Sequence, residues 1–261
     1  MNKPDDLVLV ERDEGVTTVT LNRPDKLNAL SGALRNRIGE VFEQLAGDAA
    51  TEVVILTGAG RAFTVGLDLK ELGGEAEASS AITSQDLSRA VTGLSQPIIG
   101  AVNGFAITGG FELALMCDFL IASTEAKFAD THARVGVVPG WGLSQRLPRL
   151  IGANRAKELS LTGNYLDAET ACSWGLVNRV VAPDALLPTC RQLARDILTT
   201  DPRTRAEIKR LIDVGWHGTL SEGLDAELTA SRAHSATEVT PDKVAARRQA
   251  IQSRGREQSR G

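Results

Sequence analysis

Two alternating runs open the chain. "LVLVER" and "VTTVTLNRP" repeat apolar and polar positions with a period of two around "DEG". That pattern predicts a β-hairpin whose second strand ends at Pro24. The period then changes. Over residues 31–47, Leu34, Ile38, Val41, Phe42 and Leu45 recur at helical spacing behind Ser31, a residue type that opens helices. "EVVILTG" is a short β-branched run, the mark of a strand buried on both faces. A glycine-bearing loop, a short helix "LDLKEL" and the stretch "GGEAEASS" follow. Beyond them the pattern predicts a helix near 84–94, a strand "PIIGAV", a helix over 109–118 and a strand "FLIAS".

Strands that alternate with helices indicate an α/β fold with mainly parallel strands. The segments 52–72 and 97–118 share one layout, in which a buried strand runs through a glycine-bearing loop into a helix. From residue 141 onward the pattern turns mostly helical, with helices expected over 183–199, 202–214, 219–235 and 240–253. The shift predicts an α/β core over residues 1–200 and a helical region over 201–261.

Composition narrows the classes. The chain has 261 residues, 42% of them hydrophobic and 24% charged, as in an ordinary globular protein. A formal charge of −4 and a pI near 5.5 give no footing for a nucleic-acid partner. The basic end (Arg247, Arg248, Arg254, Arg256, Arg260) reads as a solvated face. Cys117, Cys172 and Cys190 are far apart and form no CxxC pair, so neither a disulfide framework nor a zinc site is expected. "MNKPDDLVLVERDEG" lacks the apolar core of a signal peptide, and no uncharged run reaches membrane-spanning length. These features predict a soluble, cytoplasmic protein without a membrane partner.

The chemistry starts from an apolar run, "NGFAITGGFELALMCDFLIAS", whose only charges are Glu112 and Asp118. A carboxylate there is costly unless it is satisfied or used. "LTGAGRAF" fails as a dinucleotide loop because Phe63 stands where the third glycine is needed. There is no GxxxxGK phosphate loop and no GxSxG elbow, and His132, His217 and His234 are not paired at metal-ligand spacing. Glu112 follows Gly109 and Gly110 at a helix opening, where unpaired backbone N–H groups are available. Gly66 offers a second such opening at Leu67. Two N–H groups converging on one carbonyl oxygen form an oxyanion hole, the feature an enolate intermediate requires. Glu112 is then either a proton-transfer group beside that hole or a structural carboxylate serving its own helix.

Four blocks, "LNRPDKLNAL", "VVILTGAGRAFTVGLDLKEL", "AVNGFAITGGFELALMCDFLIAS" and "FADTHARVGVVPGWGLSQRLPRLIG", resemble the enoyl-CoA hydratase/isomerase, or crotonase, superfamily in order and spacing. "LTGNYLDAETACSWGLVNRVV" and "SEGLDAE" fit as well. The resemblance implies a spiral of β-β-α units with a C-terminal helical region that assembles a homotrimer, often a dimer of trimers. It implies an acyl-CoA thioester substrate and no metal or redox cofactor. By motif position the oxyanion hole falls on the N–H groups of Leu67 and Gly109, and Glu112 is catalytic. The stretch Leu67 to Lys70, with Asp68 and Leu69, lines the thioester and adenine side, and Val65 and Gly66 before it also contact the substrate. Lys26 is either a CoA phosphate contact or a solvated lysine, and Gly140 borders the acyl pocket in the "PGWG" turn.

One position departs from the family. Its hydratases carry two glutamates, and where the second belongs this chain has His132. Hydration needs a water deprotonated as it attacks the β-carbon and a proton delivered to the α-carbon. Glu112 can activate water while a His132 imidazolium supplies the proton, since histidine titrates near neutral pH. Alternatively Glu112 does both, and His132 only lines the pocket. Asp130 would share a side with His132 on an extended segment and support it. The implied activity is enoyl-CoA hydratase. The alternatives are an isomerase or other crotonase-type acyl-CoA enzyme, and an acyl-CoA-binding protein with weak catalysis.

Overall fold

The computed structural model describes residues 4–72, 74 and 82–259, so "GGEAEASS" lies outside them except for Gly74. The chain divides into two compact units, residues 1–200 and 201–261.

The first unit is a series of strand–strand–helix turns. Strands β1 (Val8–Asp13) and β2 (Val16–Leu21) form the expected antiparallel hairpin and lead into helix α1 (Gly32–Ala46). Ser31 caps α1 by accepting a hydrogen bond from the Leu34 N–H at 3.3 Å. The five apolar positions read from the sequence are all buried on this helix, at roughly 1.5–3 kcal/mol each. Next come β3 (Val53–Gly58), β4 (Ala62–Thr64), α2 (Leu69–Leu72) and α3 (Ile82–Thr92). The turn repeats as β5 (Ile98–Val102), β6 (Phe105–Ile107) and α4 (Gly109–Ala114). It repeats again as β7 (Phe119–Ser123), β8 (Lys127–Ala129) and α5 (His132–Val135). Helices α6 (Leu143–Ile151) and α7 (Ala153–Thr162) follow, then β9 (Leu166–Asp167), α8 (Ala168–Ser173), β10 (Arg179–Val181) and α9 (Leu186–Leu198).

Two sheets result. The larger has the order β1-β2-β3-β5-β7-β10, and the smaller β4-β6-β8-β9. All six residues of β3 are buried because both faces of its sheet are covered. Val54 and Leu56 join the main core with α1 and α3, whereas Val53 and Ile55 join a second cluster with Leu186, Cys190 and Ala194 of α9. This is the period of two with neither face left to water.

Two expectations need correction. The helix expected over 109–118 ends at Ala114. The N–H groups of Met116 and Cys117 bond three residues back, and Asp118 exchanges bonds with the Ile98 backbone, which turns the chain into β7. The part beyond 141 also holds β9 and β10, segments of two or three residues that become strands by pairing with β8 and β7. The strands of the smaller sheet leave no periodic signal at such lengths.

The second unit contains α10 (Pro202–His217), α11 (Leu220–Glu238) and α12 (Pro241–Gln258). Asp201 caps α10 through Thr204 and pairs with Arg247 at 2.5 Å, bonds that hold its carboxyl down at about 2. Arg247 of the basic end is therefore an ion-pair partner and not free.

Candidate active site

The short parallel strands β4, β6 and β8 lie side by side, and each runs directly into a segment singled out from the sequence. After β4 come Val65, Gly66 and Leu67. After β6 come Thr108 and Gly109. After β8 come Asp130 and His132. Ligand sites in α/β folds gather at the carboxyl ends of parallel strands, and these residues converge there.

Asparagines hold the first of these segments in place. Asn28, fully buried, donates from Nδ2 to the carbonyls of Ala59, Ala62 and Phe63 at 2.8–3.2 Å. Asn103 donates to Gly60 and Ala62. A Cβ on Gly58 would stand 2.2 Å from the Ala62 carbonyl oxygen. Gly58 of "LTGAGRAF" thus serves a tight backbone crossing.

The two proposed N–H groups come together. Gly66 has φ +84°, and a Cβ there would lie 2.9 Å from the Gly109 nitrogen. A Cβ on Gly109 would lie 3.7 Å from the Leu67 nitrogen and 3.4 Å from the Trp141 ring. Neither the Leu67 nor the Gly109 N–H donates a hydrogen bond among the described residues. Just before Gly109, Thr108 takes φ 54° and ψ −112°, an unfavourable region for a side-chain-bearing residue. Its N–H bonds to the Ala129 carbonyl at 2.8 Å and its hydroxyl pairs with that of Thr131. Strain of about 1–3 kcal/mol persists only when such contacts over-determine it. Here it aims the start of α4.

Glu112, on α4, is 3% exposed. Its Oε1 accepts from the backbone N–H of Trp141 at 2.8 Å and of Leu143 at 3.3 Å. Its Oε2 is 3.5 Å from Nε2 of His132. The other ring nitrogen, Nδ1, lies 2.5 Å from Oδ1 of Asp130. His132 and Asp130 are 6% and 1% exposed, so the imidazole is enclosed between two carboxyl groups. Burial opposes charge on the ring, but the bonds and negative charges of Asp130 and Glu112 outweigh it and raise its pKa to about 9. Burial likewise opposes charge on Asp130, while bonds from His132 and Ser160 hold its carboxyl below the usual range.

The expected pairing of Asp130 with His132 holds for a different geometric reason. The segment is not extended: His132 begins α5, and its N–H bonds back to Oδ1 of Asp130 at 3.2 Å. The carboxylate therefore reaches ring and backbone together.

The remaining sequence candidates sit around this centre. The Leu30 N–H bonds to the Gly66 carbonyl and the Val65 N–H to that of Leu27, tying the Lys26 segment to residues 65–70. Asp68 accepts from Arg23 at 2.7 Å and from the Lys70 N–H. Lys26, Leu69 and Lys70 are exposed, Val65 is half-buried, and Gly140 is exposed with open space beside it. The next residue, Trp141, makes the contact to Glu112. Sequence reasoning missed the Trp141 and Leu143 donors and Ser160. The "PGWG" turn was the only signal for the first two, and nothing local marked the third.

Comparison with known proteins completes the picture. Residues 11–245 match the family model described as enoyl-CoA hydratase/isomerase. The chain is 41% identical over 232 residues to the probable peroxisomal enoyl-CoA hydratase 1 of Arabidopsis thaliana, covering 88% of this chain and 87% of that protein. An enoyl-CoA hydratase structure from Bacillus anthracis matches with a TM-score of 0.84 at 38% identity, over 89% of this chain and 92% of that one. A monofunctional enoyl-CoA isomerase from M. smegmatis matches with a TM-score of 0.74 at 37% identity, over 84% and 97%. A spiral of β-β-α units matched across nearly its whole length leaves one conclusion: this chain belongs to the enoyl-CoA hydratase/isomerase family.

Proposed function

We propose that the chain is an enoyl-CoA hydratase that adds water across a trans-2-enoyl-CoA. The observation that carries this reading is the buried Glu112 carboxylate, fixed at one oxygen and facing His132 with the other, beside two unpaired N–H groups. The thioester oxygen sits on the N–H groups of Leu67 and Gly109, which stabilise the enolate as it forms. Glu112 takes a proton from water as the oxygen bonds to the β-carbon. The enolate collapses and its α-carbon takes the proton from Nε2 of His132. Glu112 then passes the water's proton to His132 across their contact, which restores both groups. The supply of curated relatives named as hydratases supports the reaction type.

Lys26, an exposed cation on a tied segment, is assigned to the CoA phosphates, with Val65, Gly66, Asp68, Leu69 and Lys70 along the thioester and adenine side and Gly140 at the acyl side. Coenzyme A enters as part of the substrate and the reaction needs no resident cofactor. A homotrimer or dimer of trimers is supported by the second unit, where no side chain of α10 or α11 is buried although Ile208, Ile212, Leu220, Leu224 and Leu228 are apolar. Among the described residues no helix is long and apolar enough to cross a membrane. A cytoplasmic location remains part of the proposal.

Loss of the conjugated thioester absorbance of a short trans-2-enoyl-CoA is the test, run with wild type and Glu112→Gln. Turnover abolished by the substitution, with CoA-ester binding intact, is the expected result. No turnover by wild type overturns the reading. A second reading, migration of a β,γ double bond into conjugation, is favoured by the isomerase among the structural matches and needs only one base. Faster consumption of the β,γ-enoyl-CoA than of the conjugated ester would select it.

A further inference from the structure

Asp130 is the most enclosed carboxylate of the site, and catalysis by Glu112 and His132 gives it no task. It lies at the end of β8, with the ring and backbone of His132 on one oxygen and the Ser160 hydroxyl of α7 donating to the same group. We propose that Asp130 is a positioning residue, and that Asp130 and His132 together replace the second catalytic carboxylic acid. The inference rests on the hydratase reading of this site.

Orientation is the first ground. A neutral imidazole has two tautomers, and a carboxylate on Nδ1 selects the one that donates there. Nε2 is then left facing Glu112, 3.5 Å away. The proton count is the second ground. Two carboxyl groups sharing a site keep one proton and one negative charge, because both cannot ionise at close range. Glu112 beside a neutral histidine would carry the same charge but hold no imidazolium acid. Adding Asp130 restores the count: two carboxylates and one imidazolium give one net negative charge and one transferable proton. The charged groups facing the ring are Asp130 from its own segment and Glu112 from α4, while α7 contributes the uncharged Ser160.

The consequence for the reaction is specific. The Nε2–H bond breaks as the α-carbon–hydrogen bond forms, and the bonding pair stays on nitrogen. Asp130 remains ionised throughout and supports the charged ring before transfer and after reprotonation. Asp130→Asn keeps a side-chain oxygen for Nδ1–H but removes the charge, so the ring loses its proton at lower pH.

The test is an NMR titration of the histidine ring nitrogens in the full-length protein. Only His132, His217 and His234 contribute, and His132→Gln assigns the signal. In wild type, His132 should remain an imidazolium with Nδ1 protonated through pH 8. In Asp130→Asn its midpoint should fall by one pH unit or more, and the alkaline limb of kcat should fall with it while KM changes less than twofold. A wild-type midpoint at or below the ordinary histidine value overturns the proposal without any variant. So does a folded Asp130→Asn protein whose midpoint and limb stay in place. The ring signal does not depend on turnover. A shifted midpoint in a protein that hydrates nothing would therefore sustain the dyad and overturn the hydratase assignment. Intact hydration with an unmoved midpoint would do the reverse.

Discussion

The two sheets of the first unit are made from different kinds of sequence. In the larger sheet β3 supplies six consecutive buried residues, the first four of which serve two apolar clusters in alternation. In the smaller sheet β4, β6 and β8 have three residues each and end in polar or glycine-bearing segments. The first kind is held by burial, the second by backbone crossings and specific bonds from Asn28, Asn103, Thr108 and Thr131. Stability and chemistry are thus placed on separate layers. A substitution that keeps the shape and the bonds of its own layer should leave the other's readout alone, and the largest such contrast involves Glu112.

Glu112→Gln keeps an oxygen that can accept from Trp141 and Leu143 but removes the base. Loss of a positioned general acid–base group costs roughly 10²–10⁴ in rate. Initial rates of hydration and urea unfolding curves, measured on one preparation, should show that loss with a native-like midpoint. A variant with most of the wild-type rate would place the chemistry elsewhere.

Next in size is a pair of glycines, one on each side of the divide. A Cβ on Gly110 of α4 would stand 2.0 Å from the Thr64 carbonyl oxygen, a backbone atom that cannot swing aside. A Cβ on Gly100 of β5 would meet Cδ2 of Leu120 at 2.4 Å and Sγ of Cys117 at 3.1 Å, both of them side-chain atoms that can shift. Overpacking costs about 1–3 kcal/mol and more where backbone must move. Gly110→Ala should exceed about 3 kcal/mol and take the activity with it, whereas Gly100→Ala should stay inside that range and remain active. Equal losses of unfolding free energy in the two variants would refute the distinction.

This division also explains what could be read from the chain beforehand. The hairpin, α1, β3, β5, β7 and the C-terminal helices announce themselves because burial on a regular element imposes a period on apolar residues. The short strands impose none: "AFT", "FAI" and "KFA" become strands only by lying beside one another. The pairs Gly66 with Leu67 and Gly109 with Glu112 were legible through glycines at helix openings and through family spacing. His132 stood out as a departure from that spacing. Its pairing with Asp130 was legible from their spacing of two, though not the turn that makes it, and its contact with Glu112 was not legible, because that contact depends on α4 arriving against the turn into α5. Ser160 was invisible for the same reason.

The polar layer should also make stability depend on pH within a defined window. The His132 pKa is raised from 6.5 to about 9 on folding. Its pairing therefore adds stability that is complete below pH 6.5 and lost as pH rises through about 9. Asp130 has the opposite sign: it contributes above its ordinary value of 3.8, and the contribution goes as acid protonates it. A shift the size of that on His132 corresponds to at most about 3 kcal/mol. Urea midpoints at pH 6 and pH 9.5 should differ for wild type and converge for His132→Gln. Parallel pH dependence in the two proteins would mean that other groups set the slope.

The smallest effect tests the apolar layer by itself. Ile55 of β3 is fully buried, in the cluster that β3, β5 and β7 share with α9. Its neighbours there include Val53, Ile99, Ala101, Ile121 and Leu186, none of which donates or accepts a bond at the site. Ile55→Val removes one methylene from a close-packed region, at a cost of about 0.5–1.5 kcal/mol. The sheet keeps its register because the β-branched side chain still fits the pleat. Nothing in that loss reaches the carboxyl ends of β4, β6 and β8, so kcat and KM should stay at wild-type values while the unfolding midpoint falls. If the rate fell along with stability, the two layers would be mechanically coupled through β3, and the separation drawn from their sequences would describe composition alone.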